Sequence, residues 1–134
     1  MKWWNPFGIS SRNPAEEYKK RSEEFLKDFQ DLKQLLSELQ EMVSTRVNVA
    51  NIIDKCSQIY EIYRRLLQSS NVLESFDKRW GSIGANIEWS IRGITYFFKH
   101  EKNFDYDESL KTLNTMNKSI KNIEDSLIDL GFSI

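Results

Sequence analysis

Histidine and cysteine side chains often bind metals or attack substrates. Each type occurs once in this sequence, as His100 and Cys56. Structural zinc sites use about four such ligands, and helical zinc hydrolases use a His-Glu-x-x-His pair, so neither site can be built here. A di-iron bundle needs a glutamate three residues before a histidine, but Phe97 holds that position before His100. A glycine-rich phosphate loop is also missing from the sequence. We therefore predict no metal site, no cofactor and no catalytic residues, that is, a protein that is not an enzyme.

Arg92 and His100 are the one pair that invites a catalytic interpretation, in the stretch RGITYFFKH with seven residues between them. The pair resembles the motif of the small helical HEPN ribonucleases, an arginine followed after four to six residues by a histidine late in a helix. The resemblance covers these nine residues and implies a ribonuclease acting through Arg92 and His100, or the neutralising partner of one. The longer spacing turns the histidine by about 100° around the helix, so we expect the two side chains not to converge. The alternative is an exposed histidine that interacts with a helix C-terminus.

Basic residues cluster at three places, and acidic residues lie close to each cluster. The formal net charge is only -1, from 19 basic and 20 acidic side chains, so there is no global field to attract a polyanion. We interpret the clusters as solvated faces with ion pairs, with phosphate binding as the alternative, and expect no nucleic-acid partner. The clusters are Lys19-Lys20-Arg21, Arg64-Arg65 and Lys78-Arg79.

A second aromatic stripe runs along the predicted third helix. At 100° per residue, Trp89 and Tyr96 lie about 160–180° from Ile87, which is the centre of that helix's apolar stripe. Arg92, Gly93 and His100 flank this second stripe. Large aromatic side chains opposite a buried face are typical of a contact surface, and tryptophan, tyrosine and arginine are enriched at binding hot spots. We therefore predict that Trp89, Arg92 and Tyr96 bind a partner, either another protein or a second copy of this chain.

A further aromatic group, Trp3, Trp4 and Phe7, precedes the first predicted helix and is also predicted to contact protein. Three arrangements remain open. The segment could fold back onto the third helix, insert into a partner or a second copy, or lie in a membrane interface. The membrane arrangement is disfavoured because only Lys2 and Arg12 supply basic charge nearby, whereas stable anchoring usually needs two signals.

Four segments with helical periodicity must position these residues. Helices are predicted over residues 14–43, 47–68, 72–101 and 106–130, with Gly131 as a C-terminal cap. Three of them begin at an Asx residue followed three residues later by glutamate, which is the capping-box spacing; the Asx residues are Asn13, Asn71 and Asp105. The third stripe is Leu73, Phe76, Trp80, Ile83, Ile87, Ile91, Ile94 and Phe98. Cys56 lies on the second stripe, which predicts a small buried side chain.

Short predicted loops make consecutive helices antiparallel neighbours. The sequence thus predicts an all-α, antiparallel up-down-up-down four-helix bundle over residues 14–134, preceded by a short aromatic N-terminal extension over residues 1–13. A single cysteine and the lack of a long apolar run favour a cytoplasmic protein. The leading functional hypothesis is a small bacterial or phage adaptor, inhibitor or immunity-type factor. A small helical subunit of a larger assembly with peripheral membrane contact is the other non-enzymatic alternative.

Overall fold

The computed structural model describes residues 13–134, which form four α-helices: α1 (Pro14–Ser44), α2 (Val49–Glu74), α3 (Trp80–Lys99) and α4 (Tyr106–Asp129). Consecutive helices pack closely against each other, and α4 returns to contact α1 more sparsely. This confirms the predicted four-helix bundle. Apart from Asn13, the predicted N-terminal extension lies outside the described residues. None of the helices in the described part is both long and apolar enough to cross a bilayer.

One core runs through the centre of the bundle and takes side chains from every helix. Phe29, Ile59, Ile87 and Ile123, one from each helix in turn, are fully buried there. Cys56 is buried as predicted, and this burial raises the pKa of its thiol to about 12. The thiol therefore stays protonated and behaves as a small apolar side chain.

Two of the three predicted N-terminal caps are confirmed. The Asn13 side chain accepts a hydrogen bond from the Glu16 N–H at 3.2 Å, and Asp105 accepts from the N–H groups of Asp107 and Glu108 at 3.0 and 3.1 Å. The predicted cap at Gly131 is also confirmed, since its φ of 99° lets the following N–H, from Phe132, bond back to the carbonyl of Leu127.

The predicted helix start at Asn71 is wrong. Helix α2 continues through the expected loop as far as Glu74, the chain turns over residues 75–79, and α3 begins at Trp80. The hydroxyl of Ser70 donates to the Leu67 carbonyl, so this serine is satisfied inside the helix and does not end it. Asp77 organises the actual turn by accepting a hydrogen bond from the Arg79 N–H at 3.0 Å.

A related correction concerns the second helix. It begins at Val49 rather than at residue 47, and Asn48 is its N-cap, with a side chain that accepts from the Asn51 N–H at 2.9 Å. Helix α2 therefore starts later and ends later than predicted. As a result Phe76, assigned to the third stripe, lies in the α2–α3 turn and is partly exposed.

The buried face of α3 is wider than the single predicted stripe. Phe97 is fully buried, whereas Ile91 and Phe98 are only partly buried. Tyr96, expected on the solvent side, is half-buried and packs against the core. The physical reason is that α3 packs between two neighbours, α2 and α4, so a broad arc of the helix faces protein.

Candidate protein-binding groove

A groove of about 280 Å³ lies between α3 and α4. Each helix lines it with residues at positions i, i+3, i+4 and i+7, a spacing that places side chains on one helix face. Each helix thus gives the groove a face two turns long. The lining residues are Trp89, Arg92, Gly93 and Tyr96 from α3, and Thr112, Thr115, Met116 and Ser119 from α4. The three residues of α3 predicted to bind a partner therefore line one groove.

Gly93 of α3 and Met116 of α4 lie against each other in this groove. A Cβ atom placed on Gly93 would collide with the Cγ and Sδ atoms of Met116. Met116 is itself almost fully buried, so it has little room to move aside. Glycine at this position therefore leaves room for the Met116 side chain between the two helices.

Trp89 forms the most exposed wall of the groove, with 58% of its surface open to solvent. The Arg92 guanidinium carbon lies 4.6 Å from the centroid of the Trp89 ring, a cation–π arrangement. Exposure of Trp89 is as predicted. Tyr96, by contrast, is held from two sides by other aromatic rings. Its ring stacks on that of His100 with the centroids 4.1 Å apart, and it meets the Phe97 ring edge to face. The groove thus has one exposed aromatic wall and one fixed aromatic wall.

Arg92 has no carboxylate partner among residues 13–134. The hydroxyls of Thr112 and Thr115 on the opposite side donate to carbonyls of their own helix, at 3.1 and 3.2 Å. Their oxygens can still accept hydrogen bonds. The groove therefore combines apolar and aromatic surface with one cation that is free to pair with an anion.

Arg92 and His100 engage different aromatic rings. Arg92 lies over Trp89, whereas His100 stacks on Tyr96 and places its Nδ1 atom 2.9 Å from the Tyr96 carbonyl oxygen. Eight residues of helix separate the two backbones by about 12 Å. Each side chain is thus oriented by its own neighbour rather than by the other.

Each basic cluster contains an arginine that forms an ion pair. Arg21 pairs with Glu17 at 2.7 Å, Arg65 with Asp28 at 3.2 Å, and Arg79 with Asp77 at 2.8 Å. Hydrogen bonds from Arg79 lower the pKa of Asp77. Of these three pairs, only Arg21–Glu17 has the i,i+4 spacing of pairs along one helix face, whereas Arg65 pairs with α1 and Arg79 pairs within the α2–α3 turn.

The structure brings together Trp89, Arg92 and Tyr96, while Trp3, Trp4 and Phe7 lie outside the described residues. Sequence reasoning missed the α4 side of the groove. The helical spacing of Thr112, Thr115 and Ser119 with Met116 places them on one face of α4, but that spacing alone does not show which neighbour the face meets. Over residues 13–134, no three His, Cys, Asp or Glu side chains are placed to share a metal ion.

No protein-family model, curated protein sequence or solved structure matches the chain.

Proposed function

We propose that this chain is a non-enzymatic protein-interaction module whose α3–α4 groove binds a segment of another protein. The observation that carries the proposal is the convergence of Trp89, Arg92 and Tyr96 on one groove with a largely apolar lining. Residues of these types form binding hot spots because they offer large rigid surfaces together with a charged or polar group.

The size of the groove limits what it can accept. Ligand pockets usually enclose about 300–1,000 Å³, so a groove of about 280 Å³ fits one or two side chains rather than a large cofactor. An aromatic side chain buries roughly 150–250 Å², and at about 25 cal/mol per Å² that is worth several kcal/mol. One apolar anchor residue from a partner would therefore supply much of the binding energy.

Arg92 adds a requirement for charge. Its guanidinium lies over the Trp89 ring and lacks a carboxylate among the described residues, so a carboxylate of the partner would complete a charge-assisted hydrogen bond. The partner segment that best fits the groove offers an apolar or aromatic side chain with an aspartate or glutamate close to it.

The biological setting belongs to the same proposal. Composition rich in lysine, asparagine and isoleucine favours a bacterial or phage source, and a single cysteine fits a reducing, cytoplasmic compartment. The role of adaptor, inhibitor or immunity-type factor rests on the missing catalytic motifs and on the aromatic stripe of α3. Trp3, Trp4 and Phe7 are proposed to contact protein as well. A helical subunit of a larger assembly would use the groove in the same way.

The test compares two variants with matched exposure in quantitative affinity capture from the source cell. Trp89→Ala should remove a specific partner, because truncating a hot-spot tryptophan costs about 2 kcal/mol or more, roughly 30-fold in affinity. The control is Ile128→Ala, since Ile128 is 56% exposed and lies outside the groove. A partner retained by Trp89→Ala, or lost equally from both variants, would contradict the proposal.

His100→Ala separates the alternative based on the HEPN resemblance. A ribonuclease would lose RNA cleavage in this variant while its binding persisted. An interaction module should keep its partner, because His100 does not line the groove and Tyr96 keeps its contact with Phe97 when His100 is truncated. The measurement is RNA cleavage by the purified chain beside capture of the partner.

A further inference from the structure

The backbone around the α3–α4 groove has no hydrogen-bonding edge to offer a ligand. All the residues that line the groove lie inside α3 or α4, so their backbone N–H and C=O groups bond within those helices. The hydroxyls of Thr112 and Thr115 also donate to carbonyls of α4. An extended segment laid on this surface would take its own backbone groups out of water without partners, which costs free energy. A helical segment avoids this cost because its backbone groups bond to each other.

The two walls of the groove differ in the length of their side chains. Long side chains line it on α3, where Trp89 and Tyr96 lie seven residues apart, about 10.5 Å along the helix. Short side chains line it on α4, namely Thr112, Thr115 and Ser119. Packed helices lie with their axes about 8–10 Å apart, and the distance depends on the side chains at the contact. A third helix can therefore approach α4 closely while the long side chains of α3 flank it.

Arg92 sets the distance between a charge and an apolar anchor in the groove. It forms no ion pair within residues 13–134, and its guanidinium lies over Trp89, on the N-terminal side. The Arg92 and Tyr96 backbones are four residues, or about 6 Å, apart along α3. On a helix running beside α3, residues separated by one turn match this distance and share one face. On an extended segment the matching residues would be only two positions apart, at about 3.3 Å per residue.

We infer that the groove binds a helical segment about two turns long. It carries an apolar or aromatic anchor and, three or four residues away on the same face, an aspartate or glutamate. The anchor packs against Tyr96 and Met116, and the carboxylate accepts charge-assisted hydrogen bonds from Arg92. This inference rests on the proposed function and adds the conformation of the partner segment and the spacing of its side chains.

Selection from a phage library of random peptides tests the spacing, with peptides of about 16 residues, which are long enough to form a helix but not required to. The full chain is the bait, and peptides that also bind the Trp89→Ala chain are discarded. The remaining peptides should share an anchor with an acidic residue three or four positions away. A shared spacing of one or two, or no shared acidic residue, would overturn the inference and leave the proposed function standing. A selection without any Trp89-dependent peptide would contradict both.

Charge reversal at Arg92 identifies the group that recognises the acidic residue. With Arg92→Glu as the bait, the selected peptides should carry lysine or arginine where the wild-type chain selects aspartate or glutamate. Arg64→Glu is the matched control, because Arg64 is also exposed but lies outside the groove, and it should keep the acidic preference. Exposed positions tolerate such changes, so both chains should fold. An acidic preference that survives Arg92→Glu would overturn the inference.

The affinity of one selected peptide then tests the helix itself. Changing its acidic residue to the amide should weaken binding to the wild-type chain about tenfold or more, with little change for the Arg92→Gln chain. Proline at a solvent-facing position between the anchor and the acid, at least one turn from the N-terminus, should weaken binding roughly 100-fold more than alanine does, because proline breaks a helix. Titration of the fluorescently labelled peptides measures these affinities. Equal affinities of the proline and alanine peptides would show a non-helical segment and overturn the inference.

Discussion

Two of the grooves that helix α4 borders differ in how their polar groups are used. The α1–α4 groove, about 370 Å³, is crossed by the Lys33–Glu124 ion pair at 2.6 Å and by the Gln40–Asn117 hydrogen bond at 3.1 Å. The α3–α4 groove is smaller, about 280 Å³, and no described hydrogen bond joins its two walls. Polar side chains on the two walls of the larger groove thus already bond to each other. The better candidate for a binding site is therefore the groove whose walls are not already joined by hydrogen bonds, rather than the groove of larger volume.

The largest expected effect concerns the opposite side of α3. Ile87→Ala should lower the free energy of unfolding by about 2–5 kcal/mol, because it leaves a cavity at a fully buried position. Trp89→Ala should change stability far less, since Trp89 faces the groove. Chemical denaturation measures both. A larger loss from Trp89→Ala than from Ile87→Ala would show that the two faces of α3 have been assigned the wrong way round.

The floor of the α3–α4 groove gives the next largest effect. Gly93→Ala should destabilise the fold by about 1–3 kcal/mol, because the added methyl group collides with buried Met116. Ser37→Ala, at an exposed position in the α1–α4 groove, is the control and should lie within about 0.5 kcal/mol of wild type. Equal midpoints for the two variants would mean that the helices do not approach closely at Gly93.

The start of α4, the helix that both grooves share, comes third. Asp105→Ala should cost about 0.5–2 kcal/mol, because the first-turn N–H groups of Asp107 and Glu108 lose their acceptor. Asn71→Ala is the matched control, because Asn71 lies inside α2 and should cost under about 0.5 kcal/mol. If Asn71→Ala were the more damaging change, the correction to the α2–α3 boundary would fail.

The smallest expected effect concerns the α1–α4 groove. Lys33→Met should cost no more than about 1 kcal/mol, and added salt should shrink the difference, because partly exposed ion pairs are weak and screened. Lys118→Met, at an exposed lysine without an ion pair in the described chain, serves as the control in the same urea titration. A loss of several kcal/mol would show that the α1–α4 groove depends on this pair more than its exposure suggests.

Much of the bundle could be predicted because local chemistry and long-range packing agree. Asn13 and Asp105 each directly precede an apolar repeat, and both cap a helix. At Asn71 the two levels conflict, since the capping pattern is present but the apolar period of α2 continues to Leu73. Burial of Leu73 outweighs a cap there, because a buried leucine is worth more than one capping hydrogen bond.

The α3 side of the groove was predictable from residue spacing alone. Its α4 side was not, because the face of α4 that meets Trp89 and Tyr96 depends on how the two helices pack. Gly93 illustrates this limit: the sequence places it beside the aromatic stripe, but only the position of Met116 explains why a side chain is excluded there. Half-burial of Tyr96 has the same origin, since α3 has a neighbour on both sides.

The central claim is that the α3–α4 groove binds a partner and the α1–α4 groove does not. Site-specific photo-crosslinking in the source cell tests it, with the probe at Thr115 in one chain and at Asn117 in another. Both positions are exposed on α4, and they line the two different grooves. We expect one partner adduct from position 115, absent when Trp89→Ala is added, and none from position 117. An adduct from position 117, or one from position 115 that survives Trp89→Ala, would contradict the account.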